Sequence, residues 1–422
     1  MSFKSIAICK LPHSSEFQIF TGSVVKSPIL EFELSAHPQF VLTNGLNPEE
    51  VFWISGDVKA APMNLSTPDV LVKYIQSIGD FRQVSSENSL PIKGENYRRS
   101  DSGISQDFIQ DQQNNINGFY RQSKENKDET RLNGNNPEQL INENINNQPI
   151  RNWQNKVTTL QQFTEEIEAI KTAISNFELE KVVAARIVQK ELQGQNFGFD
   201  SLVDWYFKLC GNYPDCLVYL FLDSELGVWI GASPELLFDR DESGVSHTVS
   251  LAGTLFGESE VWSEKEILEQ STTSQHINEI LHDFNLVAEI SPLQERKNGA
   301  LRHLVSQYSF TTQTDQIMGL IHRLNPTPAV IGYPQNAALD WVKSKLKLER
   351  ELYSGAVGIL STRKSLLHVN LRCAKVYMNQ KVDLFAGCGI NLMSDPLREW
   401  QETQLKSEII GRFIPNPMNP KD

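Results

Sequence analysis

Lys181 stands at the start of an apolar, strand-like segment, where a lysine could act as a base. The segment reads Lys181-Val-Val-Ala-Ala-Arg-Ile-Val, and alternation along a strand places Lys181 on the same face as Val183 and Ala185. An ammonium group held on an apolar face loses hydration, which lowers its pKa and makes it a usable general base. The alternative is a lysine at a strand edge whose amine reaches water.

Glu235 is the corresponding candidate for an acid. It follows the turn-forming residues Gly231-Ala-Ser-Pro, just past a predicted strand. A carboxyl group shielded by apolar walls stays protonated and can donate a proton to a leaving group. The alternative is an ordinary glutamate in the first turn of a helix, where the helix dipole favours it.

Two predicted helices each carry a pair of glutamates three residues apart. The pairs are Glu266 with Glu269 and Glu399 with Glu402, and Lys406 lies one turn beyond the second pair. Either pair alone is typical of a solvated helix face. If the two faces converge, the four carboxylates repel one another, and Mg²⁺ fits such a site because it binds few carboxylates and keeps some of its waters.

Arg372 lies within a segment, residues 366–377, that the sequence predicts to be a strand. An arginine there needs an anionic partner, which is either a buried structural carboxylate or a substrate carboxylate bound as a fork. The nearby stretch Phe385-Ala-Gly-Cys-Gly-Ile follows another predicted strand, and its backbone N–H groups could cradle an anion. It is not a dinucleotide-binding or Walker motif, so a nucleotide site is not indicated.

Two loops and a histidine complete the set of candidates. Leu251-Ala-Gly-Thr and Asn325-Pro-Thr-Pro-Ala-Val are rich in small residues and could line a pocket or form tight turns. His303 could orient a substrate or be structural.

The elements that carry these residues predict an α/β (α+β) fold, a single large domain of antiparallel sheets flanked by helices. Apolar residues at steps of three and four predict helices over 160–177 and 263–287, and a third helix opens at Ser394-Asp-Pro. Strands joined by short turns, such as the hairpin predicted over 216–231, imply antiparallel pairing.

Composition divides the chain into three parts. Residues 1–81 form an N-terminal part of the fold, residues 82–153 are rich in Asn and Gln and predict a flexible insertion or linker, and residues 154–415 hold the candidate site residues.

With 39 basic and 52 acidic residues the net charge is −13, which argues against a nucleic-acid or membrane-surface partner. Five cysteines and the absence of a long apolar run predict a cytoplasmic protein.

From about residue 155 to 413 the chain resembles the chorismate-utilising enzymes, which include isochorismate, salicylate, anthranilate and aminodeoxychorismate synthases. The resemblance rests on short blocks in family order: Lys181-Val-Val-Ala-Ala-Arg, Gly231-Ala-Ser-Pro-Glu, Leu251-Ala-Gly-Thr, Glu264-Lys-Glu-Ile-Leu-Glu, Pro326-Thr-Pro-Ala-Val, Arg350-Glu-Leu-Tyr-Ser-Gly, Leu371-Arg-Cys-Ala-Lys, Phe385-Ala-Gly-Cys-Gly-Ile and Glu399-Trp-Gln-Glu-Thr-Gln-Leu-Lys. It implies the chorismate-utilising enzyme (anthranilate synthase component I-like) fold, with two large antiparallel sheets, and chorismate as the substrate.

The resemblance also implies a role for each candidate. Lys181 matches the base that activates water for attack at C2, and Glu235 matches the acid that protonates the departing C4 hydroxyl. The other matches are Glu269 and Glu402 as direct Mg²⁺ ligands, Glu266 and Glu399 as water-mediated ones, Arg372, Gly387 and Tyr353 as groups that hold the enolpyruvyl carboxylate, Lys406 with Ala252, Gly253 and Thr254 as the wall around the ring carboxylate, and His303 as a group near the leaving hydroxyl.

Two positions indicate which branch of the family the chain resembles. Lys181 is present, whereas ammonia-using anthranilate synthases usually lack that lysine, and Ala252 replaces the lysine usual in aminodeoxychorismate synthases. This combination favours isochorismate synthase first and salicylate synthase second, as a monomer without a glutaminase subunit. The remaining alternatives are an ammonia-using synthase and a catalytically silent chorismate-binding scaffold. Gln270 and Asn325 depart from the family pattern, which often has histidine at both places.

Overall fold

Antiparallel strands are the predominant regular secondary structure of the fold. The computed structural model describes residues 5–14, 17–55, 58–60, 68, 157–176, 179–192, 197–223, 225–256, 261–298, 301–377 and 381–415. The segment predicted as an insertion, residues 82–153, lies outside them, so its flexibility stays a prediction.

The strands of the described residues are numbered in chain order. They are β1 (Ser5–Lys10), β2 (Phe17–Pro28), β3 (Gln39–Thr43), β4 (Glu50–Ser55), β5 (Val58–Ala60), β6 (Lys181–Glu191), β7 (Leu217–Asp223), β8 (Gly227–Ser233), β9 (Leu236–Arg240), β10 (Val245–Phe256), β11 (Glu289–Ile290), β12 (Gln294–Asn298), β13 (Leu301–Thr311), β14 (Gly332–Tyr333), β15 (Ala356–Leu360), β16 (Ser365–Val369), β17 (Cys373–Tyr377) and β18 (Lys381–Ile390).

Helices lie between groups of strands. In the same ranges the α-helices are α1 (Leu160–Asn176), α2 (Phe199–Asn212), α3 (Glu264–Asp283), α4 (Ile317–Leu324), α5 (Gln335–Lys345) and α6 (Pro396–Gly411), and short 3-10 turns cover Ile29–Glu31 and Thr314–Gln316. None of the described helices is long and apolar enough to cross a membrane.

The strands form two antiparallel sheets, as the sequence predicts. The first sheet has the order β5-β2-β1-β7-β8-β17-β18-β6-β14. The second runs β2-β4-β3-β15-β16-β9-β10-β13, and β11 and β12 both pair with β13. The long strand β2 belongs to both sheets, so their hydrogen bonding is continuous.

Apolar faces of the two sheets pack against each other. Buried Tyr219 and Phe221 of the first sheet lie in one cluster with Phe40 and Val357 of the second. The rings of Phe40 and Phe221 stack with their centroids 6.0 Å apart. Such contacts fix the separation of the sheets, and the site described below depends on it.

Helices cover the outer faces of both sheets. Helices α1, α5 and α6 pack on β6 and β18 through an apolar cluster that includes Phe163 and Trp400. Helices α3 and α4 pack on β9, β13 and β16 through a second cluster that includes Ile280 and Leu320. The result is a helix–sheet–sheet–helix arrangement, and the predicted fold class is confirmed. The predicted domain boundaries stay predictions.

Local signals explain where the two glutamate-bearing helices begin and end. Ser263 caps α3 in a capping box with Glu266, and Asn285, with a positive φ of 54°, follows its last turn. The helix is therefore shorter than the predicted 263–287. Helix α6 begins with Pro396, and Asp395 accepts a hydrogen bond from the Arg398 amide at 2.9 Å.

One predicted strand is wrong. The segment 366–377 is not continuous, because β16 ends at Val369 and β17 begins at Cys373. The break is held by Asn370, whose side chain accepts from the Tyr219 hydroxyl at 2.8 Å and donates to the Leu352 carbonyl at 2.8 Å. Arg372 therefore lies in a bend with a φ of 48° rather than in mid-strand.

Candidate active site

A cleft with about 740 Å³ of empty space, which is open to solvent, opens among strands of both sheets. Strands β6 and β18 of the first sheet line it, as do β10 and β13 of the second. Its lining includes eleven of the fourteen predicted site residues: Lys181, Glu235, Ala252, Gly253, Thr254, Glu269, His303, Tyr353, Arg372, Gly387 and Lys406.

Lys181, the first residue of β6, is buried in this cleft. Only 3% of its surface is exposed, so the alternative of a lysine at a strand edge reaching water is wrong. Burial lowers the pKa of its ammonium group, and the Glu269 carboxylate, 3.8 Å from the ammonium nitrogen, opposes that shift. Gly389 on β18 leaves the space that the lysine uses, since a Cβ there would lie 2.7 Å from the Lys181 Cε.

Glu235 lies in the short connection between β8 and β9, so the helix alternative is wrong. Its side chain is 3% exposed, and burial raises the pKa of the carboxyl group to about 7. The Thr327 hydroxyl donates a hydrogen bond to its Oε1 at 3.3 Å. At neutral pH a large share of this group is therefore protonated and able to give up a proton.

Arg372 and His303 form a pair in the wall of the cleft. His303 Nδ1 lies 3.0 Å from the Gly253 carbonyl oxygen, so Nδ1 carries the hydrogen and Nε2 is an acceptor. An Arg372 nitrogen, Nη2, lies 3.4 Å from that acceptor. Burial and the nearby Arg372 charge lower the pKa of His303 to about 3, so the ring is neutral near pH 7.

The other terminal nitrogen of Arg372, Nη1, is buried without a hydrogen-bond partner in the protein. A guanidinium group presents donors in a fixed fork, and an unsatisfied buried donor is costly. The site therefore offers a directed cationic donor to an anionic group of a ligand, which is one of the two alternatives that the sequence left open for Arg372.

Lys406 and Tyr353 both lie against Gly387. The Lys406 ammonium nitrogen lies 2.6 Å from Glu402 Oε1 and donates to the Gly387 carbonyl at 3.1 Å. A Cβ at position 387 would lie 2.7 Å from the Tyr353 hydroxyl, so this close approach requires glycine. The three residues thus form one continuous wall.

Carboxylates from two helices converge beside this wall. Glu269 on α3 and Glu399 on α6 both pair with Lys265, whose ammonium nitrogen lies 3.5 Å from Glu269 Oε1 and 2.8 Å from Glu399 Oε1. Burial, together with the neighbouring Glu402 and Glu269 charges, raises the pKa of Glu399 to about 7. Glu266 instead turns back to cap its own helix, accepting from the Ser263 amide at 3.0 Å.

The donor chemistry of this cluster fits a hard divalent cation. Oε1 of Glu269 and Oε2 of Glu399 are buried without hydrogen-bond partners, and carboxylate oxygens are the ligands that Mg²⁺ prefers. Within the described ranges no three His, Cys, Asp or Glu side chains are grouped closely enough to hold a metal ion as they stand. Lys265 lies between the carboxylates of the two helices, so a cation and this lysine would compete for the same charges.

Two residues of the site escaped the sequence analysis. Thr327 belongs to the loop that was considered only as a possible pocket wall, and its contact with Glu235 joins distant parts of the chain. Lys265 had a detectable signal, because it lies four residues before Glu269 on the same helix. Its contact with Glu399 depends on the packing of α3 against α6 and has no local signature.

Comparison with known proteins gives the family. A family profile described as chorismate binding enzyme matches residues 97–414, about three quarters of the chain. The chain therefore belongs to the chorismate binding enzyme family. The match begins at residue 97, whereas the sequence blocks that carry the resemblance begin only after about residue 155.

Curated relatives of the chain include two isochorismate synthases of Escherichia coli (strain K12). The chain is 30% identical to MenF over 263 residues, which cover 58% of each protein. It is 34% identical to EntC over 194 residues, which cover 43% of this chain and 49% of EntC. The aligned segments thus span about half the length of these relatives.

Solved structures of the same fold cover nearly the whole chain. The MenF structure from Escherichia coli, a menaquinone-specific isochorismate synthase, superposes with a TM-score of 0.63 at 17% identity over 97% of this chain and 89% of that one. The DhbC structure from Bacillus anthracis superposes with a TM-score of 0.65 at 15% identity over 97% and 96%. At these identities the likeness shows the fold alone.

Proposed function

We propose that this protein is an isochorismate synthase, which converts chorismate to isochorismate. The observation that carries the proposal is the pairing of a buried lysine and a buried glutamic acid, Lys181 and Glu235, on the lining of one cleft. Burial favours the neutral form of each, which is the form that a base and an acid need at the start of the reaction. The isochorismate synthases among the relatives support the same activity.

In the proposed reaction the two residues move one proton each. Neutral Lys181 removes a proton from water as the water oxygen bonds to C2 of the ring. Both ring double bonds shift, from C1=C2 to C1=C6 and from C5=C6 to C4=C5, as the C4–O bond breaks. Glu235 gives its proton to the departing hydroxyl, which leaves as water. Water is gained and lost once, so the reaction is an isomerisation. Arg372 holds the enolpyruvyl carboxylate in place through its unpaired Nη1.

We propose Mg²⁺ as the cofactor. Glu269 and Glu402 would bind it directly, and Glu266 and Glu399 would hold its waters. When bound, Mg²⁺ supplies positive charge that holds the ring carboxylate of chorismate. The buried oxygens of Glu269 and Glu399 that lack a hydrogen-bond partner support this assignment.

The pathway and the assembly are parts of the same proposal. We propose that the isochorismate enters menaquinone or siderophore biosynthesis, and the relatives include a menaquinone-specific synthase. We further propose a cytoplasmic monomer without a glutaminase subunit. Lys181 together with Ala252 supports the choice of water over ammonia. The cysteines, which are buried and form no disulfide bond in the described residues, suit a reducing compartment.

Product analysis tests the activity. The purified protein is incubated with chorismate and Mg²⁺ in the absence of an amine, and the products are separated by chromatography. Lactate dehydrogenase with NADH reports any pyruvate in parallel. We expect isochorismate without enzyme-dependent pyruvate. Salicylate with matching pyruvate would instead identify a salicylate synthase, and turnover only after addition of ammonium would identify an amine-using enzyme.

Arg372→Lys tests the carboxylate contact. A lysine cannot donate to both His303 and a substrate carboxylate with the geometry of a fork, so we expect KM for chorismate to rise about 10- to 100-fold while kcat changes less. The matched control is Arg323→Lys, at an exposed residue that pairs with Asp283 at 2.8 Å. An Arg372→Lys enzyme with wild-type KM would show that Arg372 does not bind the substrate.

A further inference from the structure

Lys265 is a cation placed where the fold also gathers carboxylates. It lies in the first turn of α3, and its side chain is 15% exposed. The ammonium nitrogen is 2.8 Å from Glu399 of α6 and 3.5 Å from Glu269 of its own helix. Lys265 is thus the direct ionic link between these two helices.

The charges around Lys265 are nearly balanced. Glu269 also faces Lys181 at 3.8 Å, and Glu402 is paired with Lys406 at 2.6 Å. Glu399 has no other ionic partner among the described contacts than Lys265. Removing the Lys265 ammonium would therefore leave buried Glu399 without an ionic partner, and the ionised carboxylate is strongly unfavourable there unless a proton or another cation neutralises it.

The Lys265 ammonium group can also move from the carboxylate cluster to solvent. Leu268, three residues along α3 on the same face as Lys265, is exposed, so this part of the helix borders solvent. A lysine has four rotatable side-chain bonds and can carry its ammonium to water while its stem remains packed. An exchange of the ammonium for a metal ion therefore needs no movement of either helix.

We propose that Lys265 is a built-in counter-ion that stabilises the carboxylate cluster when no divalent cation is bound and competes with the cation for the cluster. The inference rests on the magnesium site of the proposed function. Binding of Mg²⁺ replaces one positive charge by two. Because the ammonium must be displaced, the net affinity for the cation is lower than it would be without Lys265. Lys265 is thus a residue that sets the affinity of the site, and it takes no part in the chemistry.

Magnesium binding without substrate tests this role. Isothermal titration calorimetry with Mg²⁺ is made on the wild-type protein, Lys265→Met and Lys265→Gln, and unfolding is followed by calorimetry with and without Mg²⁺. The matched control is Lys190→Met, since Lys190 pairs with Glu408 on the outer part of the same helix α6 at 2.8 Å. Each measurement reports on binding or stability and is independent of turnover.

We expect the Kd for Mg²⁺ to fall at least tenfold in Lys265→Met and Lys265→Gln and to stay within twofold of wild type in Lys190→Met. The metal-free Tm should fall in both Lys265 variants, and Mg²⁺ should raise it by more than in the wild type. If Lys265→Met does not fold, Lys265→Gln decides.

An unchanged or higher Kd in a folded Lys265 variant would overturn the competition, as would a failure of all the proteins to bind Mg²⁺. Failure of the proposed activity has a different signature. It would be seen in the product analysis, in which the wild-type enzyme would form no isochorismate whatever the affinity of its Lys265 variants for Mg²⁺.

Discussion

Lys181→Ala is expected to reduce kcat for isochorismate formation by about 10²- to 10⁴-fold, the usual effect of losing a general base. The alanine leaves space for water beside Glu269 but removes the amine that takes the proton from the attacking water. Binding of chorismate should change far less, because Arg372 and the wall around Gly387 remain. Turnover is measured by product chromatography, and binding by calorimetry with chorismate.

The control for Lys181→Ala is Lys190→Ala on the same strand. Lys190 is about one third exposed and pairs with Glu408 outside the cleft, so its loss should leave kcat within about twofold of wild type, as for surface ion pairs generally. If folded Lys181→Ala turned over chorismate at a rate near that of wild type, Lys181 would be excluded as the base.

Local patterns predicted much of the fold and the identity of many site residues. Alternation along β6 placed Lys181 on an apolar face, and the spacing of Glu399 and Glu402 placed them on one face of a helix. Both predictions depend only on neighbours in sequence, and the structure bears out the buried lysine and the helix. The family resemblance added the order of the blocks, and the family profile confirms the family.

Contacts between distant segments could not be predicted from local patterns. The break before Arg372 depends on Asn370 and its hydrogen bonds to Tyr219 and Leu352, which belong to other elements. Strand propensity therefore predicted a continuous strand through Arg372, whereas tertiary contacts hold this residue in a bend. The pairing of Lys265 with Glu399 could not be predicted for the same reason, because it depends on the packing of α3 against α6.

The sharing of β2 by the two sheets is a further feature that strand patterns do not contain. Alternation predicts that a segment is a strand but not which partners it has on each side. Early residues of β2 pair with β1 and β5, and later residues pair with β4. The two sheets are thereby held in a fixed relation, which brings Lys181 of the first sheet and His303 of the second to one cleft.

Glu235→Gln is expected to lower kcat by about 10²- to 10⁴-fold, because an amide fills the same space but cannot give up a proton to the leaving hydroxyl. The amide oxygen can still accept from the Thr327 hydroxyl, so the loop should keep its conformation. Chorismate should bind with a Kd within a few-fold of wild type. The control is Glu408→Gln, at a carboxylate that is 39% exposed and should leave kcat unchanged.

The pH dependence distinguishes loss of an acid from a general disturbance. In the wild type the active form of Glu235 is protonated and its pKa is raised to about 7 in the free enzyme, so kcat/KM should fall as the pH rises through that value. A group that must be protonated gives an alkaline limb, whereas a base such as Lys181, active when neutral, gives an acid limb. The residual activity of Glu235→Gln should lack the alkaline limb near pH 7, because glutamine does not titrate. If that limb persists unchanged in the variant, another group is the acid, and Glu235 serves only to shape the cleft.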